Sequence, residues 1–309
     1  MPVDPQIQAL LDKGTGVPAT HTLSVAEARA QYEARIALMA PAAAIAAATG
    51  RVIAGPGGPL WLRIYRPLGE GPFALLVFFH GSGFVLCSLD THDGICRNLC
   101  AGAGCVVVSV DYRLAPEHKF PAGLDDCMFA TRWAAEHAAE LEADARRMAI
   151  AGDSAGGNLA AATALRLRDE GGLALRGQLL IYPVTDYHSP GTASYRENAD
   201  GYGLTRDTMV WFWNHYLADP GDAANPLASP QRAVSLAGLP PALVVTAEFD
   251  PLRDEGEAYA ARLRDAGVPS AMSRWEGMNH GFFFWVGVVD RAAAAMEESC
   301  AWLRGVFGG

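Results

Sequence analysis

The sequence has no apolar run of the roughly 18 to 20 residues that crossing a bilayer requires, so no membrane-spanning helix is expected in its 309 residues. Its opening stretch, MPVDPQIQALLDKG, lacks the basic region and following apolar core of a secretory signal. A soluble, cytoplasmic protein is the expectation. Positive charge is in short supply: 24 Lys and Arg face 34 Asp and Glu, for a formal net charge of -10. That balance argues against a nucleic-acid partner, which usually meets a basic patch. Cysteine is sparse at six residues, and none falls in a CxxC pair. Cys96 and Cys100 are spaced to share a helical face, but no second ligand pair accompanies them. Neither a metal site nor an organic cofactor is expected, and reduced, buried thiols are the better reading. Internal repeats and low-complexity linkers are also missing.

What is present suffices for one large core, or a core with a small lid: 50% of residues are hydrophobic and 19% charged. The first 50 residues read as helices. SVAEARAQYEARIALM is the clearest, with Ser24 and Glu27 forming a capping-box pattern, and the Ala-rich APAAAIAAATG suggests a further helix stopping at Gly50. RVIAG and LWLRIYRP flank the turn residues GPGGP and read as an antiparallel hairpin. Six more strand signals follow: ALLVFFH, CVVVSVDY, MAIAGD, GQLLIYP, ALVVTAEFD and SAMSRWEG. Several are continuously apolar, as strands covered on both faces should be. Helical patterns alternate with them, which predicts an α/β fold with a mostly parallel sheet flanked by helices. From about residue 184 to 229 no strand signal occurs, and the segment carries the aromatic helical pattern MVWFWNHYL. An insertion of this length suits a lid over a site, with an extra packing layer as the plainer alternative.

AGDSAGG, residues 151–157, contains G-x-S-x-G between a strand and a helix. That context makes Ser154 a candidate nucleophile: a sharp strand-to-helix turn points its oxygen off the sheet, and the new helix N-terminus favours developing negative charge. A serine hydroxyl needs a base, and the base an orienting acid. Asp250 follows the strand ALVVTAEF, and His280 sits in EGMNHGFFF after the last strand signal. Serine, acid, histidine is the chain order of the α/β-hydrolase arrangement. A helix cap is the plain alternative for Asp250, and Asp254 and Glu248 are acidic competitors. The amide of Ala155 can supply one oxyanion donor, and the loop HGSGF, residues 80–84, is placed to supply others.

HGSGF, DYRLAPEHKFPA, GDSAGG, DPLRDEG and NHGF, in this order from about Leu75 to Phe284, resemble the motifs of bacterial hormone-sensitive lipase (family IV) esterases. The resemblance implies an eight-stranded α/β-hydrolase fold with a helical cap, residues 1–50 and about 184–229 contributing the cap and residues 51–309 the catalytic domain. It implies a serine carboxylesterase for short- to medium-chain acyl esters, with Ser154 as nucleophile, Asp250 as acid and His280 as base. The oxyanion donors would be the amides of Ser82, Gly83 and Ala155. His80 would shape the loop, and Asp111, Arg113 and Glu117 would brace the framework. Phe84, Asp153, Tyr187, His188, Phe212 and Trp213 would border the substrate pocket. The chain departs from the family pattern at Ser82 and Cys87, where glycine is usual. An amidase or carbamate hydrolase, an acyltransferase, and a non-catalytic small-molecule receptor are the competing readings. Homodimerisation through the last sheet strand would follow the family.

Overall fold

The computed structural model describes residues 2–308. Eight strands form one sheet: β1 (Ala47–Gly55), β2 (Gly58–Arg66), β3 (Phe73–Phe79), β4 (Cys105–Asp111), β5 (Ala143–Asp153), β6 (Gly177–Ile181), β7 (Ala242–Phe249) and β8 (Ser270–Asn279). Their spatial order is β1-β2-β4-β3-β5-β6-β7-β8. β2 is antiparallel to both of its neighbours, and every other pairing is parallel. Every residue of β3 and β6 is buried, as the continuous apolar runs require of strands covered on both faces. One apolar layer joins residues such as Val77, Ile150 and Leu180. The other joins Leu76, Phe78 and Leu179, because successive side chains of a strand point to opposite faces.

The flanking helices are α3 (Asp93–Ala103), α4 (Ala122–Glu136), α5 (Ala155–Glu170), α8 (Arg253–Asp265) and α9 (Asp290–Gly308). α9 buries Ala292, Ala295, Met296, Ser299, Cys300, Leu303 and Phe307, a three-to-four spacing that turns one stripe of a helix inward. The N-terminal region holds α1 (Pro5–Lys13) and α2 (Val25–Glu33), and the later insertion holds α6 (Ala193–Glu197) and α7 (Arg206–Tyr216). The capping box forms as expected: the Ser24 hydroxyl accepts from the Glu27 amide, and the Glu27 carboxylate accepts from the Ser24 amide. The two regions meet where His21 Nδ1 lies 3.2 Å from Thr208 Oγ1 on α7.

The Ala-rich stretch does not form the expected helix. Residues 41–45 run without regular structure and Ala47–Gly50 open β1. Pro41 biases the residue before it away from helical backbone. Pairing of Ala47 with Arg66 across the hairpin then supplies backbone hydrogen bonds that outweigh alanine's modest helix preference. The α-helical part of SVAEARAQYEARIALM ends at Glu33, and Ala34–Leu38 tightens into a 3-10 turn. All six cysteines are buried and unpaired. Among the described residues no helix is long and apolar enough to cross a membrane.

Candidate active site

The carboxyl ends of β5, β7 and β8 converge on Ser154, Asp250 and His280. Ser154 caps α5 with φ 55° and ψ -119°, a sparsely populated backbone region for a residue with a side chain. The turn closes because its neighbours are glycines. A Cβ on Gly156 would lie 1.9 Å from the Phe79 carbonyl oxygen, and one on Gly152 would lie 2.2 Å from that of Gly156. The Ser154 amide donates to the Ile181 carbonyl at 2.8 Å, tying the turn to β6.

His280 follows β8, and Gly281 at φ 83° turns the chain behind it. His280 Nε2 lies 2.9 Å from Ser154 Oγ, and Nδ1 lies 2.7 Å from Asp250 Oδ2. A carboxylate only accepts, so Nδ1 carries the hydrogen and Nε2 is left to accept from the serine. Asp250 is fully buried, and its Oδ1 accepts the Leu252 amide at 2.8 Å. The acidic competitors are engaged elsewhere: Asp254 accepts from the Ser194 amide and Arg253, and Glu248 from the Gly277 amide. The Tyr182 ring, tilted and centred 4.6 Å from the His280 ring, packs against the imidazole.

The loop after β3 runs beside the serine. Ser82, Gly83 and Phe84 have φ of 80°, 64° and 66°, so three successive residues take left-handed backbone that favours glycine. Among the described residues, the amides of Ser82 and Gly83 donate to no protein group, which leaves them available to a ligand oxygen. Cys87, also left-handed at φ 69°, places its Sγ 2.8 Å from Ser82 Oγ. Burial pushes the Cys87 thiol up to about 12, so it stays protonated and behaves as packing. His80 is fully buried and stacks on Tyr112 at 4.4 Å. Burial, and then the neighbouring His92, push its pKa down to about 3; its Nδ1 donates to the Gly81 carbonyl.

The residues expected around a substrate pocket divide into three groups. Asp153 does not face a pocket. It is 1% exposed, and its Oδ1 accepts from the Gly81 amide at 2.9 Å beneath the loop. Phe84 and Trp213 are likewise buried, and Phe84 stacks on Tyr216 of α7 with ring centroids 3.7 Å apart. Phe212 presses its ring against Gly83, where an added Cβ would lie 2.1 Å from it. Tyr187 and His188 are partly exposed, with their tilted rings centred 4.1 Å apart, and Tyr187 is edge-on to Trp213.

Of the framework residues, Arg113 and Glu117 have side-chain partners, whereas Asp111 at the end of β4 makes no side-chain hydrogen bond among the described residues. Arg113 forks onto Asp126. Glu117 receives both terminal nitrogens of Arg29 from α2, and Arg29 Nε also donates to the Val85 carbonyl at 2.9 Å. Sequence reading missed Arg29, Tyr182 and His92. Only a histidine beside a threonine ahead of a helix marked the last, and its partner Asp153 lies far along the chain.

Residues 76–284 match the model of a family described by the alpha/beta hydrolase fold. The chain is 46% identical over 266 residues to the esterase LipI of Mycobacterium tuberculosis, spanning 83% of this chain and 81% of that protein. It is 39% identical over 278 residues to an ethyl acetate hydrolase of Pseudomonas putida, spanning 88% and 87%. The structure of a hyperthermophilic esterase from the archaeon Pyrobaculum calidifontis superposes with a TM-score of 0.94 at 41% identity, covering 99% of each chain. With the fold, the strand-end constellation and these relatives together, the chain belongs to the hormone-sensitive-lipase-like (family IV) branch of the α/β-hydrolase fold family.

Proposed function

We propose that the protein is a serine carboxylesterase that hydrolyses small-molecule esters with short to medium acyl chains through a Ser154–His280–Asp250 acyl-enzyme mechanism. The observation that carries this reading is the unbroken hydrogen-bonded line from Ser154 Oγ through His280 to Asp250, beside two amides with no protein acceptor.

In the first step Ser154 Oγ attacks the ester carbonyl carbon as its proton passes to His280 Nε2. The carbonyl π electrons move onto oxygen, and the oxyanion accepts from the amides of Ser82, Gly83 and Ala155 at the N-terminus of α5. Asp250 stabilises the imidazolium without taking its proton. Collapse of the intermediate expels the alkoxide, which takes the proton from Nε2 and leaves as alcohol. In the second step water gives a proton to Nε2 and attacks the acyl carbon. The second intermediate expels Ser154 Oγ, which recovers the proton, and the acid departs.

Ser154 is 6% exposed, which supports a narrow approach and small substrates. The N-terminal residues to about 50 and the segment of about 184–229 form the cap in this reading, with Phe212, Tyr187 and His188 closest to the substrate. Six buried thiols suit a reducing cytoplasm, and the net charge of -10 suits a small-molecule rather than a nucleic-acid ligand. β8 is a sheet edge with Met272 exposed, and a second copy would pair there to give a homodimer. A labelled organophosphate should attach to Ser154 alone and abolish turnover of a p-nitrophenyl ester. Full labelling at another residue, or turnover surviving it, would overturn the assignment.

A further inference from the structure

Behind the oxyanion loop lies a histidine that the mechanism does not use. His92 is fully buried, yet it touches three segments of the site at once. Its Nε2 lies 3.1 Å from Asp153 Oδ1, on the residue immediately before the nucleophile. The Gly81 amide, at the start of the oxyanion loop, points at the same pair, 2.9 Å from Asp153 Oδ1 and 3.2 Å from His92 Nε2. Phe284, four residues past His280, sets its edge on the His92 ring with centroids 4.8 Å apart.

The hydrogens can be placed. The Gly81 amide is shared between two acceptors: it donates to His92 Nε2 at 3.2 Å and to Asp153 Oδ1 at 2.9 Å, so Nε2 carries no hydrogen and its 3.1 Å approach to Asp153 is bridged by that amide. On the far side of the ring, His92 Nδ1 donates to Thr91 Oγ1 at 2.9 Å, a hydroxyl that gives its own hydrogen to the Ser88 carbonyl at 2.9 Å and accepts the Ser88 amide at 3.0 Å. Thr91 further contacts the Cys87 thiol, and the thiol contacts Ser82. The chain of contacts thus leaves the loop at Gly81 and returns to it at Ser82. There is little slack, since a Cβ on Gly81 would lie 2.5 Å from Asp153 Oδ2.

We propose that His92 is a positioning residue of the oxyanion hole: by accepting the Gly81 amide beside the Asp153 carboxylate, it fixes the Ser82–Gly83 amides relative to Ser154 Oγ. Asp153 is covalently joined to the nucleophile and hydrogen-bonded to the loop, so its orientation sets the distance between attacking oxygen and oxyanion donors. The Gly81 amide keeps one direction only when both of its acceptors do, and His92 Nε2 is the second of them. Displacements well under 1 Å at such donors are felt in the transition state, where charge sits on the oxygen, far more than in the bound ester.

This inference rests on the esterase reading, and its test separates the two. Wild type, Ser154→Ala, His92→Asn, His92→Gln and Thr91→Val are compared on p-nitrophenyl butyrate, with folding followed by circular dichroism and thermal melting. Asn is too short to put an acceptor where Nε2 stands, whereas the Gln side-chain carbonyl can reach it. His92→Asn should lose about 10- to 100-fold in kcat with KM little changed, and His92→Gln should recover most of the loss. Inhibition by a trifluoromethyl ketone, whose hemiketal oxygen needs the hole, should weaken in His92→Asn by the same factor as kcat/KM. A folded His92→Asn with wild-type kcat, a loss confined to KM, or no recovery in His92→Gln overturns the proposal. If His92→Asn does not fold, Thr91→Val decides: a severalfold fall in kcat at an unchanged melting temperature supports positioning, and wild-type kcat overturns it. A wild type inactive on every ester overturns the esterase reading and this inference with it, whereas an active wild type with indifferent variants overturns this inference alone.

Discussion

The ring of Phe212 occupies the space a side chain at Gly83 would need: a Cβ built on Gly83 would lie 2.1 Å from the ring. A helix of the insertion therefore rests directly on the loop after β3, the proposed oxyanion loop. Gly83→Ala should cost about a hundredfold in kcat/KM, through a displaced amide and a side chain forced into left-handed backbone. Phe212→Ala should destabilise by about 3 kcal/mol or more through the cavity it leaves. In Gly83→Ala/Phe212→Ala the clash is gone, so activity should fall by less than the product of the two single losses. A double-mutant cycle on kcat/KM checks this, and strict additivity would show that the contact does not govern the loop.

Loss of the nucleophile and loss of the acid should each disable turnover, for different reasons. Ser154→Ala should lower kcat/KM on p-nitrophenyl esters by about 10⁴-fold or more while the melting temperature is kept. Asp250→Asn should lose about 10⁴-fold, because an amide can donate to Nδ1 and would turn the Nε2 hydrogen toward Ser154. Retention of one-tenth of wild-type activity in either variant would sink the triad.

Ser82 and Cys87 hold left-handed backbone where the family usually has glycine, and their side chains touch. Ser82→Gly should relieve about 1 kcal/mol of backbone strain, partly offset by the greater freedom of the unfolded chain. Its amide remains, so basal turnover should stay within a fewfold of wild type. The room freed beside the oxyanion hole should shift preference toward bulkier esters, measured as kcat/KM across a panel of acyl and alcohol sizes. Abolished activity with the fold intact would give the hydroxyl a chemical role.

The Arg29–Glu117 pair fastens α2 to the segment after β4. Hydrogen bonding from Arg29 holds the Glu117 carboxyl down at about 2. A carboxyl lowered on folding stabilises the protein above its unfolded pKa, near 4.5, and the contribution fades as pH falls from there toward 2. The Glu117 side chain is 53% exposed, so screening limits the pair to about 1 kcal/mol or less. Glu117→Gln should lower the melting temperature by about 1 to 2 °C at most at pH 7, with the gap closing below about pH 4. An equal gap at pH 3 and pH 7 would place the effect in packing rather than charge.

Proposed pairing of two copies through β8 makes a hydrodynamic prediction. Met272→Lys puts a charge on the edge strand and should shift the protein from dimer to monomer in light scattering at micromolar concentration. Wild-type protein that is already monomeric, or a variant that stays dimeric, would remove β8 as the interface.

Much of this protein was legible as a sequence. Continuous apolar runs marked the buried strands because strands covered on both faces have no polar side. The serine turn was readable because its glycines are sterically obligatory, as Gly156 beside the Phe79 carbonyl shows. The order of Ser154, Asp250 and His280 followed from strand ends that a parallel sheet gathers on one edge. Other features carried no local signal. The Ala-rich segment became strand because β2 lay ready to pair with it. Asp153 left the pocket for the underside of the loop, and His92 joined it there. Arg29 found Glu117, 88 residues away. Periodicity and turn chemistry are local, so the sequence determined the strands, the elbow and the catalytic order. Which buried polar group meets which depends on long-range packing, and only the tertiary structure decided how the oxyanion loop is held.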